Sequence, residues 1–218
     1  MNRLSLSAVI AAIALLVAAC HTDGKSSQTS TTSAGSPDTV PLTRQEMVVN
    51  GFDAITLAGT ANVVYEPGNE HRVRIEAPAD VMPYINVYVE EEELFIADKS
   101  KADSVHFNHV TITVTSPAVR CITLSGVGNI IAPKPFTADM IDIRLSGAGN
   151  VKIADLTCRK LTLSQTGAGN IDFDNLTTDD LDTKLYGPGN VTLRGKAKHH
   201  TERVNGAGNL DISRLTDH

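Results

Sequence analysis

Gly147-Ala148-Gly149-Asn150-Val151-Lys152-Ile153 is the stretch that decides the fold. Its tetrad, Gly-x-Gly-Asn, recurs at Gly126-Val127-Gly128-Asn129, Gly167-Ala168-Gly169-Asn170, Gly187-Pro188-Gly189-Asn190 and Gly206-Ala207-Gly208-Asn209. Successive asparagines are 21, 20, 20 and 19 residues apart. A looser copy, Gly59-Thr60-Ala61-Asn62, lies upstream. Self-similarity at a period near twenty is the signature of a solenoid.

Read outward from each Asn, the flanks alternate. Seven positions before it stand Ile122, Ile143, Leu163, Thr183 and Glu202; five before stand Leu124, Leu145, Gln165, Leu185 and Val204. One position after come Ile130, Val151, Ile171, Val191 and Leu210, and three after come Ala132, Ile153, Phe173, Leu193 and Ile212. Thr123, Arg144, Ser164, Lys184 and Arg203 fall between the inward positions on one flank, and Lys152, Asp172, Thr192 and Asp211 on the other. Period two on both sides of a tight corner reads as strand, corner, strand. The expected fold is all-β: a β-helix of coils of about twenty residues over 120–218, stacked roughly 4.8 Å apart. Glycine turns such a corner at positive φ without a Cβ clash, and the Asn side chain is placed to form a ladder from coil to coil. Thr183 and Glu202 replace aliphatic residues near the C-terminus, which suits a polar closing coil.

Residues 41–119 read as a β-rich N-terminal part of the same head. Ala54–Leu57 and Ala61–Tyr65 flank the loose corner, Arg72–Ile75 is a strand, and Ala79–Tyr84 suits one helical turn. Ile85–Val89 and Leu94–Ala97 form a hairpin around the acidic tip Glu90–Glu93, and Val110–Thr115 alternates cleanly as a strand.

The first forty residues carry an address. Arg3 precedes an uncharged apolar run, Ala8–Ala19, too short to span a bilayer. It ends in Leu16-Val17-Ala18-Ala19-Cys20, which resembles a lipobox, so residues 1–19 read as a lipoprotein signal peptide and Cys20 as the acylated first residue of the mature chain. The competing reading is an ordinary signal peptide with Cys20 incidental. His21, where Asp would favour inner-membrane retention, favours the outer membrane. Residues 20–40, rich in Ser and Thr, read as a disordered tether of roughly 25 Å r.m.s. span.

Composition narrows the function. A formal charge of −6, with no basic patch, argues against nucleic acid. Trp is absent and aromatic content is 4%, so Thr and aliphatic residues carry the β-pattern. Cys121 and Cys158 occupy different positions of the repeat and read as two buried thiols, with a disulfide as the alternative. The tetrad lacks the third glycine of a dinucleotide fingerprint, and the calcium β-roll repeat is nine residues long and carries Asp. His106, His109, His199 and His200 read as solvated, without a third ligand near. No cofactor or metal is expected.

The segments Phe52-Asp53-Ala54-Ile55, Leu94-Phe95-Ile96, Val110–Thr115 and the repeated Ser/Thr-Gly-x-Gly corners together resemble the putative auto-transporter adhesin, head GIN domain family, over roughly residues 45–215. Tyr186-Gly187-Pro188 departs from the corner pattern. The resemblance implies a secreted or lipid-anchored envelope protein with a β-helical head and no catalytic residues. The expected function is a non-enzymatic, adhesin-like binding or structural head, tied to a membrane by its lipid and facing a protein or glycan partner. Two other readings stand beside it. One is a β-helical carbohydrate-active enzyme using Asp142 and Asp182, which share a column as do Arg144, Lys184 and Arg203. The other is a scaffold that self-associates.

Overall fold

Each tetrad brings a strand back over its predecessor in register. In the computed structural model, which describes residues 41–99, 106, 107 and 109–217, the strands are β1 (Leu42–Val48), β2 (Ala54–Leu57), β3 (Thr60–Pro67), β4 (Arg72–Pro78), β5 (Ile85–Glu90), β6 (Glu93–Asp98) and β7 (Thr111–Ser116). They continue as β8 (Cys121–Leu124), β9 (Val127–Ala132), β10 (Phe136–Leu145), β11 (Ala148–Gln165), β12 (Ala168–Leu185), β13 (Gly189–Val204) and β14 (Asn209–Thr216). From β8 onward every pairing is parallel, Asn over Asn: Asn129 beside Asn150, Asn150 beside Asn170, Asn170 beside Asn190 and Asn190 beside Asn209. The fold is a β-solenoid.

The coil has three walls, where the sequence pattern predicts a strand on each side of one corner. Along β11 the buried positions are Val151, Ile153, Leu156, Cys158, Leu161, Leu163 and Gln165. Steps of two are broken by steps of three at 153–156 and at 158–161. The pairing also skips at Ala154 and Arg159. A strand that keeps alternating would send Leu156 outward, so each extra residue is a bend that returns the apolar set to the axis. The first wall follows the Asn, the second is centred on Leu156 and Cys158, and the third runs through Leu161, Leu163 and Gln165 to the next tetrad.

Stacking order departs from chain order. The third wall runs β5, β6, β2, β8, then the later parts of β10, β11, β12 and β13. The first wall runs β1, β4, β7, β3, β9, then the early parts of β11, β12 and β13, then β14. The chain therefore enters the stack at β2 and β3, adds β6 and β7 on one side, and continues through β8 and β9 on the other. The loose corner is a full member: Ala61 pairs with Gly128 and Asn62 with Asn129. Antiparallel strands close this end, β4 and β1 on one wall and β5 on the other.

The hairpin turn is two residues, Glu91 and Glu92, both at positive φ (49° and 63°), with Glu90 opposite Glu93. That geometry matches the right-handed twist of the flanking strands. The helical turn is 3-10, Met82–Tyr84. One apolar column fills the axis, from Val73, Ile75 and Leu94 at one end to Leu185 and Leu193 near the other. Each such fully buried side chain contributes roughly 1.5–3 kcal/mol of transfer free energy.

Candidate functional site

The tetrads are corners of the stack. Gly149 has φ +147° and Gly169 has φ +150°, and a Cβ on either would collide with the carbonyl of the glycine one coil back. Gly128 and Gly189 repeat this conformation at φ +136°. The first glycines, Gly126, Gly147, Gly167, Gly187 and Gly206, likewise lie against backbone of the preceding coil. Gly208 closes the last corner, where the nearest atom to an added Cβ is the Gly189 carbonyl oxygen at 2.6 Å. Outside the glycines the Asn side chains form an amide ladder. Asn129 donates to Asn62 at 2.7 Å, Asn150 to Asn129 at 2.8 Å, Asn170 to Asn150 at 2.9 Å and Asn190 to Asn170 at 3.1 Å. Asn209 stands in the same row. These groups hold coils together and expose no reactive centre.

The outer face of the third wall carries the chemistry. Three columns cross it: Met140, Lys160, Asp180, His199; Asp142, Thr162, Asp182, Thr201; and Arg144, Ser164, Lys184, Arg203. Within a strand, residues two apart point the same way, so Arg144 reaches Asp142 at 2.8 Å and Lys184 reaches Asp182 at 2.7 Å. The last column continues through Thr123 and Thr56 to Phe95. There the Tyr88 ring stacks on Phe95, centroids 5.2 Å apart at 14°. Tyr88 is exposed. Thr56 is covered here, its hydroxyl bonded to Glu93.

Two shallow grooves, of about 540 and about 590 Å³, lie along this wall and share Lys160. Their carboxylates are Asp53, Asp139, Asp142, Asp180 and Asp182; their Lys and Arg cations are Arg120, Arg144, Lys160, Lys184 and Arg203. Five face five, so the surface is polar yet electrically balanced. At its border Arg159 grips Asp139 at 2.8 Å. That hydrogen bond and the adjacent guanidinium charge hold the Asp139 carboxyl below its ordinary value. Arg120 is held to Asp53 at 2.6 Å, which raises the guanidinium pKa.

The catalytic reading finds little here. Thr162 separates Asp142 from Asp182, so their backbones stand roughly 10 Å apart. Each carboxylate is ion-paired on its own strand and open to solvent, and neither is the desolvated carboxyl a glycosidase acid requires. Among the described residues no cluster of three His, Cys, Asp or Glu is placed to hold a metal. His200 faces Glu202 at 3.4 Å. Cys158 is buried and burial raises its thiol pKa, whereas Cys121 is only half-buried, because it lies on the outer side of β8 at the groove rim. Both thiols are free. Cys20 lies outside the described residues.

The family model described as "Putative auto-transporter adhesin, head GIN domain" matches residues 51–171 and 154–218. The chain belongs to that family. Solved structures share its fold. A putative adhesin from Bacteroides fragilis aligns with a TM-score of 0.63 at 21% identity, covering 82% of this chain and 97% of that one. A putative adhesin from Parabacteroides distasonis gives 0.50 at 16%, covering 82% and 97%. No curated protein matches the chain. At these identities the likeness concerns the fold, and the head GIN domain assignment rests on the family match.

Sequence columns reveal part of this site. They place Asp142 with Asp182 and Arg144 with Lys184 and Arg203. They miss Tyr88, Phe95, Asp53 and Arg120, because β5, β6 and the chain before β2 carry no repeat, and only the fold brings them to this wall.

Proposed function

We propose that the chain is a non-enzymatic envelope head, held to a membrane by lipid on Cys20, that binds a neutral glycan along its third wall. The balanced outer face carries this reading. A polyanion or polycation would select an excess of one charge; five cations against five carboxylates select neither. Paired Arg–Asp and Lys–Asp groups offer donors and acceptors side by side, as do the hydroxyls of Thr123, Thr162, Ser164 and Thr201. The stacked Tyr88–Phe95 rings add an apolar platform at one end, which suits the hydroxyl edges and C–H faces of sugar rings. The family supports an envelope or surface setting for such a head.

Titration of the full chain with neutral and charged envelope polysaccharides tests this. Retention of the neutral class is expected, weakened about tenfold or more in Tyr88→Ala and in Arg144→Ala/Lys184→Ala. An Arg72→Ala control, remote from this wall, should bind normally. Equal binding by all variants, or retention of only charged polymers, overturns the assignment. Metabolic labelling with a fatty-acid analogue tests the anchor: label is expected on the native chain and lost in Cys20→Ala, and label kept by that variant refutes it.

A further inference from the structure

Both ends of the stack finish on strands paired on one side only, β1 and β5 at the N-terminal end and β13 and β14 at the C-terminal end, but the apolar column opens at the C-terminal one. β14 pairs with β13 alone, and the stretch of β13 beyond Ala197 pairs with β12 alone. Among the described residues no strand covers the outer edge of either. An uncovered edge presents a row of backbone donors and acceptors, a template for another strand. The end of the apolar column shows beside it: Val204 is 43% exposed, and Leu210, Ile212 and Leu215 are only partly buried.

The two open edges differ in chemistry. The β13 edge reads Lys198-His199-His200-Thr201-Glu202-Arg203, polar throughout, and offers a second edge no apolar side chain to pair with. The β14 edge reads Asn209-Leu210-Asp211-Ile212-Ser213-Arg214-Leu215-Thr216, and it is complementary to its own reverse. We infer that this end docks on the same end of a second copy, β14 against β14, antiparallel about a twofold axis between Ile212 and Ser213. In that register Asp211 faces Arg214 of the second copy, and Arg214 faces its Asp211. Leu210 faces Leu215 twice, and Asn209 faces Thr216 twice. Leu210 and Leu215 both turn toward the axis of the stack because β14 bends between them, where its pairing with β13 shifts register after Thr192. Asp211 and Arg214 lie outside it, so each pair meets on one side of the new sheet with the twofold axis at the bend.

Other registers lose this match. A slip of one residue sets Asp211 against Ser213 or Leu215; a slip of two sets it against Ile212 or Thr216. Only the proposed register pairs both charges and both leucines, and opposite-charge pairs fix register more than they add affinity. Asp211 is prepared for its role. Its Oδ1 accepts the Ser213 amide at 3.0 Å, and hydrogen bonding from the Ser213 side chain and then this amide, with Arg214 and Arg194 nearby, keeps its carboxyl pKa low. A closed twofold contact consumes the edge on both copies and so stops at a dimer.

The closing experiment uses full chains in membranes. Two differently tagged copies, one Asp211→Cys and one Arg214→Cys, are co-expressed and treated with a mild thiol oxidant. Directly opposed residues stand about 5.5 Å apart or closer, within disulfide reach. Two Asp211→Cys chains would hold their thiol-bearing backbones roughly 10 Å apart, beyond it. A cross-linked dimer is expected only in the mixed sample. In the unmodified sequence, Asp211→Arg should weaken self-association at least about tenfold, and Asp211→Arg/Arg214→Asp should restore it. No mixed dimer, equal cross-linking in all combinations, or a dimer unaffected by Asp211→Arg alone overturns the inference. Glycan binding is read separately on the third wall, so its failure and the failure of docking are distinguishable.

Discussion

The two ends of this solenoid solve the same problem in opposite ways. At the N-terminal end, β4 and β1 lie antiparallel over β7, and β5 lies antiparallel over β6. The apolar column beneath is sealed, with Val73, Ala77 and Leu94 at 0% exposure. At the C-terminal end no reversed strand arrives among the described residues. The column instead fades in composition: at one inward position Ile122, Ile143 and Leu163 give way to Thr183 and then Glu202. A stack of strands ends on an uncovered edge whichever way its last strand runs, so an end is made tolerable either by strands that cover the apolar column beneath it or by polar residues. This chain uses the first device where it starts stacking and the second where it stops.

That contrast can be broken by paired substitutions. The largest difference is expected at the corners. Gly149→Val drives a side chain into the Gly128 backbone at a φ that valine avoids. It should cost upward of about 4 kcal/mol and abolish a cooperative melt. Gly208→Ala, at the open end, puts a Cβ 2.6 Å from the Gly189 carbonyl oxygen but faces no strained φ, and should cost less, about 1–3 kcal/mol. Equal thermal losses would mean that the last corner is as constrained as the middle ones.

Smaller effects sharpen the picture. Thr183 is wholly buried and its hydroxyl finds no partner, so Thr183→Val should stabilise by about 1–2 kcal/mol in urea unfolding. A loss would show that the polar fade is itself structural. Asn150→Ala removes one ladder bond given and one received, a cost of about 0.5–1 kcal/mol at this exposed position. Asn209→Ala should be near neutral. The smallest effect is acid sensitivity at the second-wall corner. Asp139 is held below its ordinary value of 3.8 by Arg159. Its contribution is therefore present above about pH 4 and lost as pH falls through the lower folded value. Arg159→Ala should remove that dependence from an acid melt.

Much of this fold can be read from the amino-acid sequence, and the remainder shows where reading stops. The tetrads and their alternating flanks specify corners, inward columns and an all-β stack, because period and side-chain facing are local properties. The hairpin through Leu94 is visible for the same reason. The three-step bends at 153–156 and 158–161 are less visible: they interrupt alternation without a glycine or proline to mark them. Stacking order is invisible. Nothing in Glu93–Asp98 says that it pairs with Ala54–Leu57, nor that Cys121–Leu124 takes the other side of the same strand. The candidate binding wall inherits that limit. Its repeat-borne charges are legible as columns, but its aromatic end reaches the wall only through non-local pairing.

Amide hydrogen exchange on the full chain, followed coil by coil and at two protein concentrations, tests the account most directly. Exchange should be slowest at Ala54–Leu57, Cys121–Leu124 and Leu161–Gln165, inside the stack. It should be fastest at Lys198–Val204 and Asn209–Thr216, with protection of Asn209–Thr216 alone rising as concentration increases. Equal protection of both ends in dilute solution would contradict the claim that one end is sealed and the other open.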